Sequence, residues 1–130
     1  MHPLKLAIFI SLGMFAATAI GQQASSNMLL QQTLSGLPNS EGMMVTVDYP
    51  PGVASPIHRH NAHTFVYVLE GAVVMQVEGS PEVVLSAGET FYETPEDIHL
   101  KSANASDTEP AKILVFFVKT TGAPPTVLVD

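Results

Sequence analysis

Cysteine and tryptophan are both missing from this sequence. Without cysteine there can be no disulfide staple, no thiolate zinc site and no C-x-x-C redox pair. Positive charge is scarce as well: five Lys and Arg stand against twelve Asp and Glu, giving a net charge of −7 with histidines neutral. Nucleic acid and anionic membrane both ask for a basic surface, so neither is an expected partner. The sequence holds no H-E-x-x-H, no G-x-S-x-G, no phosphate loop of G-x-x-x-x-G-K type and no dinucleotide fingerprint. From Glu41 onward no segment repeats with the period of a long amphipathic helix.

The one long apolar run lies at the start. Lys5 provides a short positive region, "LAIFISLGMFAATAI" is continuously apolar, and "AIG" before Gln22 offers small residues for cleavage. Residues 1–21 are therefore expected to be a secretory signal peptide, which places the rest of the chain in the periplasm or outside the cell. The alternative is a retained membrane anchor. It is disfavoured because the run is short for a span of about 20 residues and no charge follows it. Cleavage would leave four basic residues and a net charge of −8, on a chain long enough for one compact core.

The remainder alternates with the period of strands. In "GMMVTVDY", Met43, Val45, Val47 and Tyr49 share one face, and Met44, Thr46 and Asp48 the other. "TFVYVLEG" and "AVVMQVEGS" read as two strands of a hairpin turning at Glu70-Gly71. "PEVVLSAGETFYETP" holds two short strands broken at Ala87-Gly88, and "AKILVFFVK" reads as a central strand buried on both faces. Pro and Gly punctuate the joins in "YPPG", "GSPE", "SAGE" and "TPED". The expected fold is an all-β sandwich or barrel. Residues 22–40 form an N-terminal strand or arm, 41–118 the barrel, and 119–130 a tail lying on the surface or at an edge.

The histidines carry the chemistry. After the leader only His58, His60, His63 and His99 remain, in two short segments. On a strand, residues two apart face the same way, so His58 and His60 can both point inward, and His99 is the natural third donor from a neighbouring strand. An exposed polar strand end would be the plainer explanation of an isolated H-x-H. The second cluster argues against it.

The segment from Gly52 to Gly71, "GVASPIHRHNAHTFVYVLEG", resembles the first motif of the cupins, G(x)5HxH(x)3-4E(x)6G, with Gly52, His58, His60 and Gly71 in place. "GETFYETPEDIHLKSAN", from Gly88 to Asn104, resembles the second, G(x)5PxGxxH(x)3N, and keeps the spacing from Gly88 to His99. Two departures stand out. Thr64 occupies the place of the motif glutamate that usually binds metal. In the second motif Pro95 and Asn104 are one place late, and Glu96-Asp97 replaces the glycine. His63, one place before Thr64, could substitute as a ligand if the chain is still turning there; otherwise it lines the pocket.

The resemblance implies a single cupin jelly-roll barrel, a double-stranded β-sandwich that pairs as a homodimer. Its metal centre would be built from histidine alone: His58, His60, His99 and His63. The candidate cofactor is a divalent transition metal, namely iron, manganese, copper, nickel or zinc. By alternation the pocket is lined by Thr64, Val66 and Val68, with Phe91 or Tyr92 and Phe116 or Phe117 from other strands. Tyr67 and Tyr92 could donate hydrogen bonds to a ligand. Glu93 reads equally as a base or as a solvated loop carboxylate. The function implied is a metal-binding cupin acting on a small organic molecule, in its most concrete form a dioxygenase. The alternatives are a non-catalytic module that binds or senses metal or a small ligand, and a metal-free cupin.

Overall fold

In the computed structural model, which describes residues 21–130, the chain is all β. The ten strands are β1 (Ser25–Thr33), β2 (Ser40–Tyr49), β3 (His58–Arg59), β4 (His63–Glu70), β5 (Ala72–Val77), β6 (Val83–Ser86), β7 (Thr90–Glu93), β8 (His99–Asn104), β9 (Ala111–Thr120) and β10 (Val127–Leu128). They form two five-stranded sheets, β1-β2-β9-β4-β7 and β10-β3-β8-β5-β6, paired antiparallel throughout. The leader expected at residues 1–21 falls, but for Gly21, outside the described residues.

The core lies where the inner faces of the sheets meet. Met43, Val45 and Tyr49 of β2, Val66 and Val68 of β4, Val73 and Met75 of β5, and Ile113, Val115 and Phe117 of β9 are all buried. Alternation in β2 and β4 has the phase expected from the sequence, because each strand has one face against the core. Strand β9 is central in its sheet but buried on one face only. Ile113, Val115 and Phe117 point in, while Leu114 and Phe116 are half-buried on the outer side.

The turn at Glu70-Gly71 corrects the expected hairpin. β4 pairs with β7 and β9, and β5 with β6 and β8, so the turn carries the chain from one sheet to the other. Gly71 sits at φ +68°, and a Cβ there would stand 2.5 Å from the carbonyl oxygen of Pro110. Only glycine fits this corner.

On the outer face of the first sheet, Leu30, Met44, Phe116, Phe65 and Tyr92 are in register across all five strands. This apolar row carries no charge. The next row but one, with Asp48 and Lys112 in an ion pair, restores polarity.

A buried ion pair ties the end of β9 to the start of β2. Lys119 donates to Glu41 Oε1, and Glu41 also accepts from Gln31 Nε2 at 2.9 Å and from the Gly122 amide at 3.2 Å. The Lys119 and Gln31 hydrogen bonds hold the Glu41 carboxyl down at about 2, against an ordinary 4.5. The unfolded chain thus takes up a proton near pH 4.5 that the native chain refuses until about 2, so this contribution is complete above 4.5 and lost as pH falls toward 2. Glu41→Gln should lower stability at neutral pH and flatten its decline between these limits, as followed by urea midpoints at successive pH values.

Candidate metal centre

Three of the histidines reach the interior through their places on the strands. His58 on β3 and His60 just after it are two residues apart and point the same way, with Arg59 exposed between them. His99 begins β8 directly opposite His58 in the register. The preceding loop closes without the motif glycine, because Asp97 accepts from the Thr94 amide at 2.7 Å and returns its own amide to Thr94 O at 3.2 Å. Asn104, one place late in its motif, is a staple. Its amide donates to the carbonyls of Tyr49, Pro50 and Glu109, tying the end of β2 to the loop between β8 and β9.

His58, His60 and His99 each offer a ring nitrogen, and these atoms lie within 4.8 Å of one another, a grouping that could hold a metal ion. Two of them are oriented from behind. His58 Nδ1 faces the carbonyl of Pro56 at 2.7 Å, and His60 Nδ1 that of Pro125 at 2.9 Å. A carbonyl only accepts, so both Nδ1 atoms carry the proton and both Nε2 atoms present lone pairs to the interior. Those two Nε2 atoms are 3.2 Å apart. Burial, the leading cause in each case, pushes both histidines below their ordinary 6.5, so both rings favour the neutral form that leaves the Nε2 lone pairs free.

A carboxylate faces the group. Glu93, at the end of β7, is 1% exposed, with Oε1 3.0 Å from His99 Nδ1 and Oε2 3.7 Å from His60 Nε2. The contact with His99 is close but misaligned, and both oxygens of Glu93 and both ring nitrogens of His99 lack a hydrogen-bond partner. Four buried polar atoms without partners at one point are costly unless a bound group satisfies them. The donor set fits a divalent transition metal: three imidazoles from the second sheet, with orphaned lone pairs, and a carboxylate facing them from the first.

Glu93 is the functional residue that the sequence left undecided. It is the cross-strand partner of Thr64. A carboxylate thus faces the group from the strand beside β4, where the first motif lacks its own, while the grouped donors themselves are the three histidines.

The other candidate residues divide by face. Thr64 and Val66 line a cavity of about 230 Å³ together with the three histidines and Glu93. Val68 is fully buried in the core beyond that lining. His63 opens β4 on the opposite side, exposed, with Nδ1 2.6 Å from the Tyr92 hydroxyl, and is not among the grouped donors. The chain does turn at Asn61, which has φ +48°, but the turn is finished before His63. Tyr92 and Phe116 lie on the outer face, Tyr92 being 45% exposed. Their neighbours Phe91 and Phe117 face the histidines, with Phe117 4.9 Å from His60 and Phe91 6.1 Å from His99 between ring centroids. The cavity walls are Val45, Val47, Ile113 and Val115, and a hydroxyl cluster interrupts them: Tyr49 to Ser102 at 2.6 Å and Ser55 to Tyr49 at 3.4 Å.

The cupin domain family matches residues 45–117, and the chain belongs to it. Among curated proteins none is significantly similar. Several solved structures are. The DMSP lyase DddQ from Ruegeria pomeroyi is 21% identical over 82% of this chain and 51% of its own, with a TM-score of 0.65. An oxalate oxidase, solved with the substrate analogue glycolate, is 29% identical over 68% of this chain and 46% of its own, at 0.58. A cupin-like protein from Thermotoga maritima is 20% identical over 82% and 76%, at 0.64. The chain spans about half the length of the lyase and the oxidase.

Proposed function

We propose that this protein is an exported metal-dependent cupin that acts on a small organic anion. In this reading His58, His60, His99 and Glu93 hold one divalent transition metal. The observation that carries it is the pair of Nε2 lone pairs 3.2 Å apart, with both Nδ1 protons committed to carbonyls. When bound, the metal would supply Lewis acidity to a substrate oxygen. The chain's own residues do the rest. The Tyr49–Ser102 hydroxyls offer an anchor for a polar group, and the valine walls and Phe117 exclude water. A cavity of about 230 Å³ suits a molecule of few heavy atoms.

The oxidase solved with glycolate supports a small carboxylate as the ligand. Oxygenase chemistry of dioxygenase type is the finer reading of the same centre. Pairing of two copies belongs to the same reading, and the uncharged apolar row on the outer face of the first sheet supports it. Elemental analysis of the chain purified without a histidine tag tests the centre. About one equivalent of iron, manganese, copper, nickel or zinc per chain is expected. No metal after reconstitution with each of the five would overturn the reading.

A further inference from the structure

The tail beyond β9 does more than end the sheet. At its base, Lys119 donates to the carbonyl of Ala123 at 2.5 Å while paired with Glu41, and Glu41 holds the Gly122 amide at 3.2 Å. At its middle, the Pro125 carbonyl takes the His60 Nδ1 proton at 2.9 Å, with the Thr126 hydroxyl 3.3 Å from the same nitrogen. At its far end, Val127 and Leu128 pair with Arg59 and His58 as β10, and the Val129 amide reaches Ile57 O at 3.2 Å. Pro125, Thr126 and Leu128 also line the cavity.

We infer that residues 123–129 are a latched strap that positions His60: the Pro125 carbonyl fixes the Nδ1–H tautomer and so turns Nε2 to the interior, while the strap walls the cavity. The argument is one of supply. His58 takes its orienting carbonyl from Pro56, two residues away on its own chain segment, and needs nothing distant. His60 lies past the end of β3, where no neighbouring strand offers it a carbonyl, and its partner comes from 65 residues downstream. The strap can deliver that oxygen only if both its ends are fixed, which the buried ion pair does at one end and β10 at the other. Two successive prolines, Pro124 and Pro125, stiffen the span between them. Pro125 acts through His60 and is a positioning residue.

The metal-binding part of this inference rests on the proposed centre, whereas the tautomer does not, and the test separates the two. The full chain and a chain stopped after Gly122 are compared by Co2+ titration and, in metal-free samples at one pH, by nitrogen-15 imidazole spectra. The full chain should show His60 as the Nδ1–H tautomer. The stopped chain should show a mixture and bind Co2+ about 10- to 100-fold more weakly, the usual loss when a ligand's orienting partner goes. Should the stopped chain fail to fold, P124G/P125G loosens the strap in place and is expected to shift both readouts the same way by a smaller factor. Unchanged tautomer and unchanged Co2+ affinity in the folded variant would overturn the strap. A full chain that ignores Co2+ while its His60 tautomer still depends on the strap would overturn the metal centre and leave the strap standing.

Discussion

His99→Ala is expected to strip the protein of bound metal and of the thermal protection the metal confers. Ligand that binds only the native state stabilises it by about 4 kcal/mol at a free concentration 1,000 times its dissociation constant. For a domain of this size that corresponds to a shift on the order of 15 °C or more in melting temperature. The variant should therefore melt at one temperature whether or not metal is added, while the parent melts higher with metal. In the metal-free state the two should differ far less, because His99 makes no aligned hydrogen bond whose loss would be felt. His58→Ala should behave alike, with a somewhat larger metal-free cost, since it leaves the Pro56 carbonyl without its donor. Parallel melts with and without Zn2+, with metal counted per chain, check both variants. Full metal content in either one would remove that residue from the centre.

What was legible beforehand was whatever depends on period and spacing within one strand. The two-residue repeat from His58 to His60 and the alternation of Thr64 and Val66 needed no knowledge of neighbours, and the structure puts these residues on the interior side. Phase was harder where two aromatics adjoin. "FY" at 91–92 and "FF" at 116–117 satisfy alternation either way, and only packing selects Phe91 and Phe117 for the inside. The corner at Gly71 has the local chemistry of a hairpin; what makes it a crossing is the long-range pairing of β4 with β9 and of β5 with β8. The Pro125 carbonyl left no trace in the sequence at all, because a backbone oxygen has no residue type. Glu93 fell between these cases. Its identity was visible, but its role depended on a register that lets it stand across from Thr64.

That register leads to the second large effect. Glu93→Gln keeps the size and shape of the side chain while exchanging one acceptor oxygen for a donor and removing its capacity for negative charge. Toward a metal ion the change is unfavourable on both counts, and affinity should fall by about 10- to 100-fold or more, the scale seen when groups that support a metal site are altered. Toward the metal-free fold the change should be neutral or favourable. The native oxygens are buried beside imidazoles without a hydrogen bond, and the new amide could donate to the His60 Nε2 lone pair 3.7 Å from Oε2 after a small approach. The two expectations have opposite signs, and that contrast makes the experiment decisive. A residue retained for packing alone would lose stability in both states, whereas one retained for binding gives up stability in the empty protein to gain it in the loaded one. Melting with and without Co2+, on parent and variant together, should put the parent's midpoint above the variant's when loaded, and the two level, or the variant's higher, when empty. A variant destabilised equally in both states would make Glu93 a structural carboxylate and return the centre to its three histidines.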